Sequence, residues 1–217
     1  MFAQILFYIA SFCGYAIIQL LFLMTIKGQA SIWAHIITWI LAIVIYVLEL
    51  HYFKHFENKS FKEKELEINW KGKISMKNIG ILTVGVVSML TIQLLAAFLL
   101  KTTSNNQQAL LEIAQKDISF YLLVGVVAPF FEELIFRQFF FNCFSNLKLS
   151  GYIQIVLNGL FFSVMHESRL DFYFPVYWLL GSILALIYLK TKDLKCSIIA
   201  HSINNLVALG SIFETVK

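Results

Sequence analysis

The sequence predicts an all-α fold: a polytopic bundle of about seven transmembrane helices, with a kinked helix carrying Glu132-Glu133-x-x-x-Arg137. Three observations predict it. Apolar runs near 20 residues recur along the chain, about the length that crosses a hydrocarbon core ~30 Å thick. Of the 217 residues, 59% are hydrophobic and 14% charged, against about 45–50% and about 25% in an ordinary soluble domain; the mean hydropathy is +0.75. The charge is also segregated, with seven of the fifteen lysines between His51 and Asn78.

Taken in order, the apolar runs place spans at about 4–26, 32–50, 79–100, 118–142, 150–167, 174–190 and 196–213. No charged residue precedes Lys27, and the run Ile5–Ile26 is long enough to span, so it reads as a retained first helix instead of a signal peptide. The polar connection His51–Asn78 reads as a solvated, lysine-rich loop, within which Phe61–Trp70 has the pattern of an interfacial helix. With that loop in the cytoplasm the N-terminus is also cytoplasmic. Eleven Lys/Arg then lie inside against five outside, as the positive-inside rule requires. The net charge of +4 is concentrated in that loop and gives no nucleic-acid signal. Cys13, Cys143 and Cys196 form neither a disulfide framework nor a thiolate metal site by spacing.

The two prolines have different meanings. Pro175 fits the first turn of its helix, where a missing N–H costs nothing. Pro129 sits inside the fourth span and should kink or break it three residues before Glu132. Such irregular backbone is tolerated at membrane depth where it lines a cavity or is buried in protein.

Glu132, Glu133 and Arg137 are the charged side chains of that span. Each costs roughly 2.5–3.5 kcal/mol near a membrane centre, which makes the cluster a functional-site hypothesis by default. Glu133 and Arg137 are four residues apart with Glu first, the favourable orientation for an intrahelical pair. Glu132 points about 100° away from Glu133, which leaves two readings. Arg137 neutralises both carboxylates in one structural network, or Arg137 pins Glu133 while Glu132 faces a cavity with nothing committed to it, the reading that the next polar groups favour. On span five, Asn158 lies two turns before His166; on span seven, His201 and Asn205 share a face. Alone, each is ordinary polar glue between helices. His166, His201 and Asn205 with the charged cluster gather two Glu, an Arg, two His and an Asn onto three apolar helices of the C-terminal half.

Absences narrow the chemistry. His166-Glu167 is followed by Leu170 where a zinc-protease helix needs a second His. No Asp lies within a span, against an aspartyl protease, and no G-x-S-G nucleophile motif is present; Gly181-Ser182 and Gly210-Ser211 read as small-residue packing pairs.

In that order on successive helices, Glu132-Glu133-x-x-x-Arg137, Phe162-x-x-x-His166 and His201-x-x-x-Asn205 resemble the CPBP family, which comprises CAAX-prenyl endopeptidases and the bacterial bacteriocin-processing or self-immunity proteins often called Abi. The resemblance covers about residues 118–210. One departure is Gln138, where the family commonly has Gly after the motif Arg. The resemblance implies a CPBP-like catalytic core at 118–213, preceded by N-terminal helices and the lysine-rich loop at 1–117. It implies an intramembrane endopeptidase in which Glu132 and His166 activate a water, and His201 and Asn205 donate to the oxyanion. Glu133 and Arg137 would support them. Glu132, His166 and His201 could bind Zn²⁺ with an open position for water; a metal-free glutamate mechanism uses the same residues. The implied partners are a peptide or protein substrate and the lipid bilayer, and the implied biology is bacteriocin self-immunity or peptide maturation. A non-catalytic scaffold or sensor-binding protein of the same fold is the alternative, and a small transporter a third, disfavoured because no repeated halves are present. One conflict stands out: in ideal straight helices Glu132 and His201 fall in the inner half of the membrane, whereas His166 falls toward the outer end of its span.

Overall fold

A computed structural model describes residues 2–27, 32–56, 72–102, 104, 108, 119–144, 149–167 and 170–215, and among these there is no strand. The helices are α1 (Phe2–Lys27), α2 (Ile32–Phe56), α3 (Met76–Leu100), a composite α4 over 119–144, α5 (Gly151–His166), α6 (Tyr173–Thr191) and α7 (Leu194–Thr215). Each expected span falls on one of them, and α2 runs six residues further than its apolar run, to Phe56. The stretch Phe61–Trp70 lies outside the described residues. Helices α3 and α6 are long and apolar enough to cross a membrane by length and composition. The outer surface is that of an all-α membrane bundle: α2 exposes Trp33, Ile36, Ile37, Ile40, Ile43 and Val44, an apolar face suited to lipid.

Local chemistry sets the helix ends. Ser75 caps α3 by accepting from the Asn78 N–H at 3.2 Å, and Ser150 caps α5 by accepting from the Ile153 N–H at 3.4 Å. These are the usual side-chain answers to unpaired N-terminal donors. Asp171 Oδ1 accepts from the Tyr173 N–H at 2.8 Å at the start of α6, whose first turn contains Pro175 as expected. Lys101 and Lys192 adopt left-handed φ of 50° and 53° to close α3 and α6; their N–H groups bond the carbonyls of Ala97 and Tyr188.

Helix α4 is where the kink or break expected at Pro129 takes a specific form. It alternates α-helical Ser119–Leu122, π-helical Leu123–Val127, α-helical Ala128–Glu133, π-helical Leu134–Phe139 and α-helical Phe140–Phe144. Around Pro129 the chain stays helical: Val127 has φ −72° and ψ −47°, Ala128 φ −60° and ψ −49°. The Ala128 N–H reaches back five residues to the Leu123 carbonyl. A widened turn thus absorbs the proline, and the disruption becomes a π-bulge, the other common origin of helix bending.

Helix α7 packs on α3, α6 and α4, while α1 covers the C-terminal half of α4 and carries α2 on its outer side. The tightest pair is α5 with α6. A Cβ on Gly159 would stand 2.7 Å from the Trp178 carbonyl, and one on Gly181 would stand 2.7 Å from Phe162 Cβ. The small residues therefore set the inter-helix distance. Gly181→Val should force Phe162 out of place and destabilise the fold by about 1–3 kcal/mol. Thermal unfolding in detergent checks this; an unchanged Tm would show that α5 and α6 have slack.

Candidate active site

The charged cluster is buried, with relative exposures of 5% for Glu132 and 0% for both Glu133 and Arg137. The intrahelical pair forms as the spacing predicts, Arg137 Nε lying 3.1 Å from Glu133 Oε2. The guanidinium carbon also lies 5.2 Å from the centroid of the Phe162 ring and 5.9 Å from that of Phe136. Aromatic faces attract a desolvated cation.

Glu133 has a second partner that spacing did not reveal. Its Oε1 lies 2.9 Å from His201 Nδ1. Since a carboxylate only accepts, Nδ1 carries the proton and Nε2 is turned the other way. That Nε2 faces Glu132 Oε2 at 3.7 Å. His166 is arranged in the same sense: its Nδ1 lies 2.9 Å from the Phe162 carbonyl, which can only accept, and its Nε2 stands 3.2 Å from Glu132 Oε2. Phe162 stacks on His166 with centroids 3.9 Å apart and meets His201 edge-on at 5.5 Å. One aromatic ring therefore braces both imidazoles and the guanidinium.

Glu132, His166 and His201 thus converge, with ligand atoms all within 4.8 Å of one another. The depth conflict posed by ideal straight helices does not arise, because His166 and His201 both reach Glu132 Oε2. At 1.5 Å per residue the 16-residue α5 is roughly 24 Å long, short of the ~30 Å core. Its C-terminal His166 meets Glu132, in the middle of α4.

Glu132 is not uncommitted as its spacing suggested. Tyr15 of α1 donates its hydroxyl to Glu132 Oε1. Tyr15 lies 117 residues away in sequence, on an apolar helix; no periodicity or motif could have linked the two. One carboxylate oxygen is tied to the N-terminal helix, and the other faces the two imidazoles.

Two asparagines answer the π-turns. In the five-residue pattern the donor for the Val124 carbonyl would be Pro129, which has no N–H. Asn205 Nδ2 of α7 supplies it instead, at 3.0 Å. In the second π-turn the Phe140 N–H goes to Arg137 and Ile135, bypassing Phe136. Asn158 Nδ2 of α5 donates to that Phe136 carbonyl. One N–H of Asn205 is therefore engaged with backbone, although the residue still lines the same cavity as Glu132, His166 and His201. Gln138, the departure from the family pattern, accepts from the Tyr188 hydroxyl at 2.6 Å, so the buried carboxamide has a partner.

The cavity has a volume of about 600 Å³ and is mostly apolar, with the three converging groups at its polar part. Comparison with known proteins places the region. Residues 114–207 match the family described as type II CAAX prenyl endopeptidase, Rce1-like. This region resembles that family, over less than half of the chain. A membrane-embedded CAAX protease of Staphylococcus aureus, MroQ, is 33% identical over 108 residues, 47% of this chain and 42% of the relative. The UPF0177 protein YbdI of Lactococcus lactis is 35% identical over 89 residues, 41% and 46%. The putative membrane peptidase YdiL of Bacillus subtilis is 25% identical over 114 residues, 52% and 46%. The chain therefore spans less than half the length of each of these relatives. No solved structure matches the chain. Tyr15 lies outside the matched region.

Asn158→Leu should leave the buried Phe136 carbonyl without its donor and destabilise the protein by about 1–3 kcal/mol. Equilibrium unfolding in mixed micelles measures this, and an unchanged midpoint would mean that the π-turn does not need the asparagine.

Proposed function

We propose that this protein is an intramembrane endopeptidase of the CAAX-protease and bacteriocin-processing type, cutting a peptide or protein substrate at the membrane. The observation that carries this reading is the convergence of Glu132 Oε2, His166 Nε2 and His201 Nε2 in a cavity large enough for a peptide segment. Such a set can activate water and protonate a leaving amine, and a scaffold has no use for it. Glu132 takes a proton from a water held between it and His166. The water oxygen forms a bond to the scissile carbonyl carbon, whose C=O electron pair moves onto oxygen. When the tetrahedral species collapses, the C–N bond breaks and the nitrogen takes the proton from Glu132.

His201 and Asn205 are the proposed donors to the oxyanion, each contributing about 3–4 kcal/mol if aligned. With Nδ1 held by Glu133, His201 needs a second proton on Nε2 for this role. Asn205 uses the N–H that is not given to Val124. Glu133 and Arg137 support them by fixing His201 and balancing charge, and Tyr15 holds the carboxylate of Glu132 in one orientation.

The donor set also fits a divalent metal. Both Nδ1 atoms face acceptors, so two imidazole lone pairs and a carboxylate oxygen point at one another. Three such acceptors need a cation among them, either a proton or a metal, and two His with one Glu plus an open position is a known zinc arrangement. Zinc bound there would supply a water acidified toward neutral pH and polarise the carbonyl.

The relatives support a bacterial cell membrane as the location. The lysine distribution supports a cytoplasmic N-terminus and 51–78 loop. Bacteriocin self-immunity or peptide maturation is the proposed biology.

The test is cleavage of a pool of quenched fluorescent peptides by the protein in lipid nanodiscs. Glu132→Gln should lower kcat by 10³-fold or more while the protein still accumulates in the membrane; retention of activity would end the endopeptidase reading. Tyr15→Phe should lower kcat about 10-fold with KM little changed, consistent with one lost orienting hydrogen bond. An unchanged kcat would remove α1 from the mechanism. Phenanthroline separates the two forms of chemistry: inhibition reversed by added Zn²⁺ assigns the metal, and full activity after dialysis against chelator assigns the glutamate mechanism.

A further inference from the structure

One polar group at the cavity is not used by this mechanism. Asn204 follows His201 by three residues on α7 and is 4% exposed. It lines the cavity that holds Glu132, His166 and His201. Its Oδ1 is buried with no hydrogen-bond partner. Leaving a buried carboxamide oxygen unmet is unfavourable, so such a group usually answers to something that comes and goes. Its neighbour Asn205 has a clear structural duty, the Val124 carbonyl; among the described residues, Asn204 Oδ1 has none.

A second carboxamide reaches the same cavity from another helix, Gln93 of α3. Carboxamides carry both a donor and an acceptor, the complement of a peptide unit. Neither is suited to holding a purely hydrocarbon ligand. The walls around them are mostly apolar, with Met89, Leu180 and Leu184 among the lining side chains, so the occupant they fit has a polar backbone and apolar side chains.

We infer that Asn204 is a substrate-binding residue whose carboxamide hydrogen-bonds one peptide unit of an extended, apolar polypeptide lying beside the bond to be cut, with Gln93 serving a second unit. This deepens the endopeptidase reading and rests on it. The backbone recognition would make the site tolerant of side-chain identity and demanding about main-chain hydrogen bonding.

The experiment uses the full-length protein in nanodiscs and a peptide from the fluorescent pool that the wild type cleaves. That peptide is remade as a series in which each amide flanking the cleaved bond is replaced in turn by an ester. The swap removes the N–H and weakens the carbonyl acceptor. Wild-type kcat/KM should fall about 10-fold or more for one ester position, the loss of roughly one hydrogen bond. Asn204→Leu should cleave the all-amide peptide about 10-fold less well, and the ester at that position should then change its rate less than about 2-fold. Because Asn204 Oδ1 has no hydrogen-bond partner among the described residues, Asn204→Leu should keep or raise Tm, which a packing role would not allow. Asn204→Ser provides the same comparison with a smaller side chain.

If Asn204→Leu and Asn204→Ser show the same ester sensitivity as the wild type, the inference is overturned while the endopeptidase reading stands. If both variants fail to accumulate in the membrane, Asn204 is structural and the inference is likewise overturned. If the wild type cleaves no peptide of the pool, the endopeptidase reading fails and takes this inference with it.

Discussion

Glu133 is the contact on which the rest depends. Its two carboxylate oxygens are divided between Arg137 on its own helix and His201 on α7. A lone carboxylate inside an apolar bundle would be untenable. Here the charge is matched by a guanidinium that itself rests against Phe162 and Phe136. The same bond sets the tautomer of His201 and turns its Nε2 toward Glu132. A group that looks like a counter-ion in the linear sequence is thus also the orienter of a second helix, in the way a carboxylate behind a histidine tunes a catalytic or metal site. Removing it would leave Arg137 buried and unpaired and His201 free to rotate.

The second constraint is backbone geometry. Helix α4 carries two π-turns, one on each side of Ala128–Glu133, so the motif carboxylates sit on a short α-helical piece between two widened turns. Each turn leaves a carbonyl that the helix ladder bypasses, and an asparagine from another helix meets each one. The orphan carbonyls therefore act as docking points: Asn158 fixes α5, which carries His166, and Asn205 fixes α7, which carries His201. Irregular backbone at the centre of a membrane bundle is expected only where the surrounding protein satisfies it. In this chain the satisfying groups come from the helices that bring the two imidazoles.

Much of this was legible in the sequence. Span positions follow from apolar length alone, and the Glu133–Arg137 pair follows from i, i+4 spacing. The set Glu132, His166 and His201 is visible once three short motifs are taken together. What was not legible is informative. The kink or break expected at Pro129 takes the form of a π-turn, which spacing does not specify, because the chain can shift its ladder by one residue at little cost when a neighbouring side chain takes the bypassed carbonyl. The depth conflict came from assuming ideal straight helices, whereas α4 alternates α- and π-helical turns. Tyr15 and the Glu133–His201 bond are contacts between distant helices, and single-helix periodicity contains no information about them. Asn204 was hidden by its neighbour, since the motif spacing singles out Asn205.

The central claim is that Glu132 and His166, on different helices, act on the substrate as one unit. Groups that work together in one step are strongly non-additive when removed together. The most direct measurement is a double-mutant cycle on kcat for peptide cleavage with Glu132→Gln, His166→Ala and the combined variant. A single site predicts that the double variant is no slower, within about threefold, than the slower of the two single variants. Multiplication of the two individual losses would contradict it and would mean that the two side chains contribute independently.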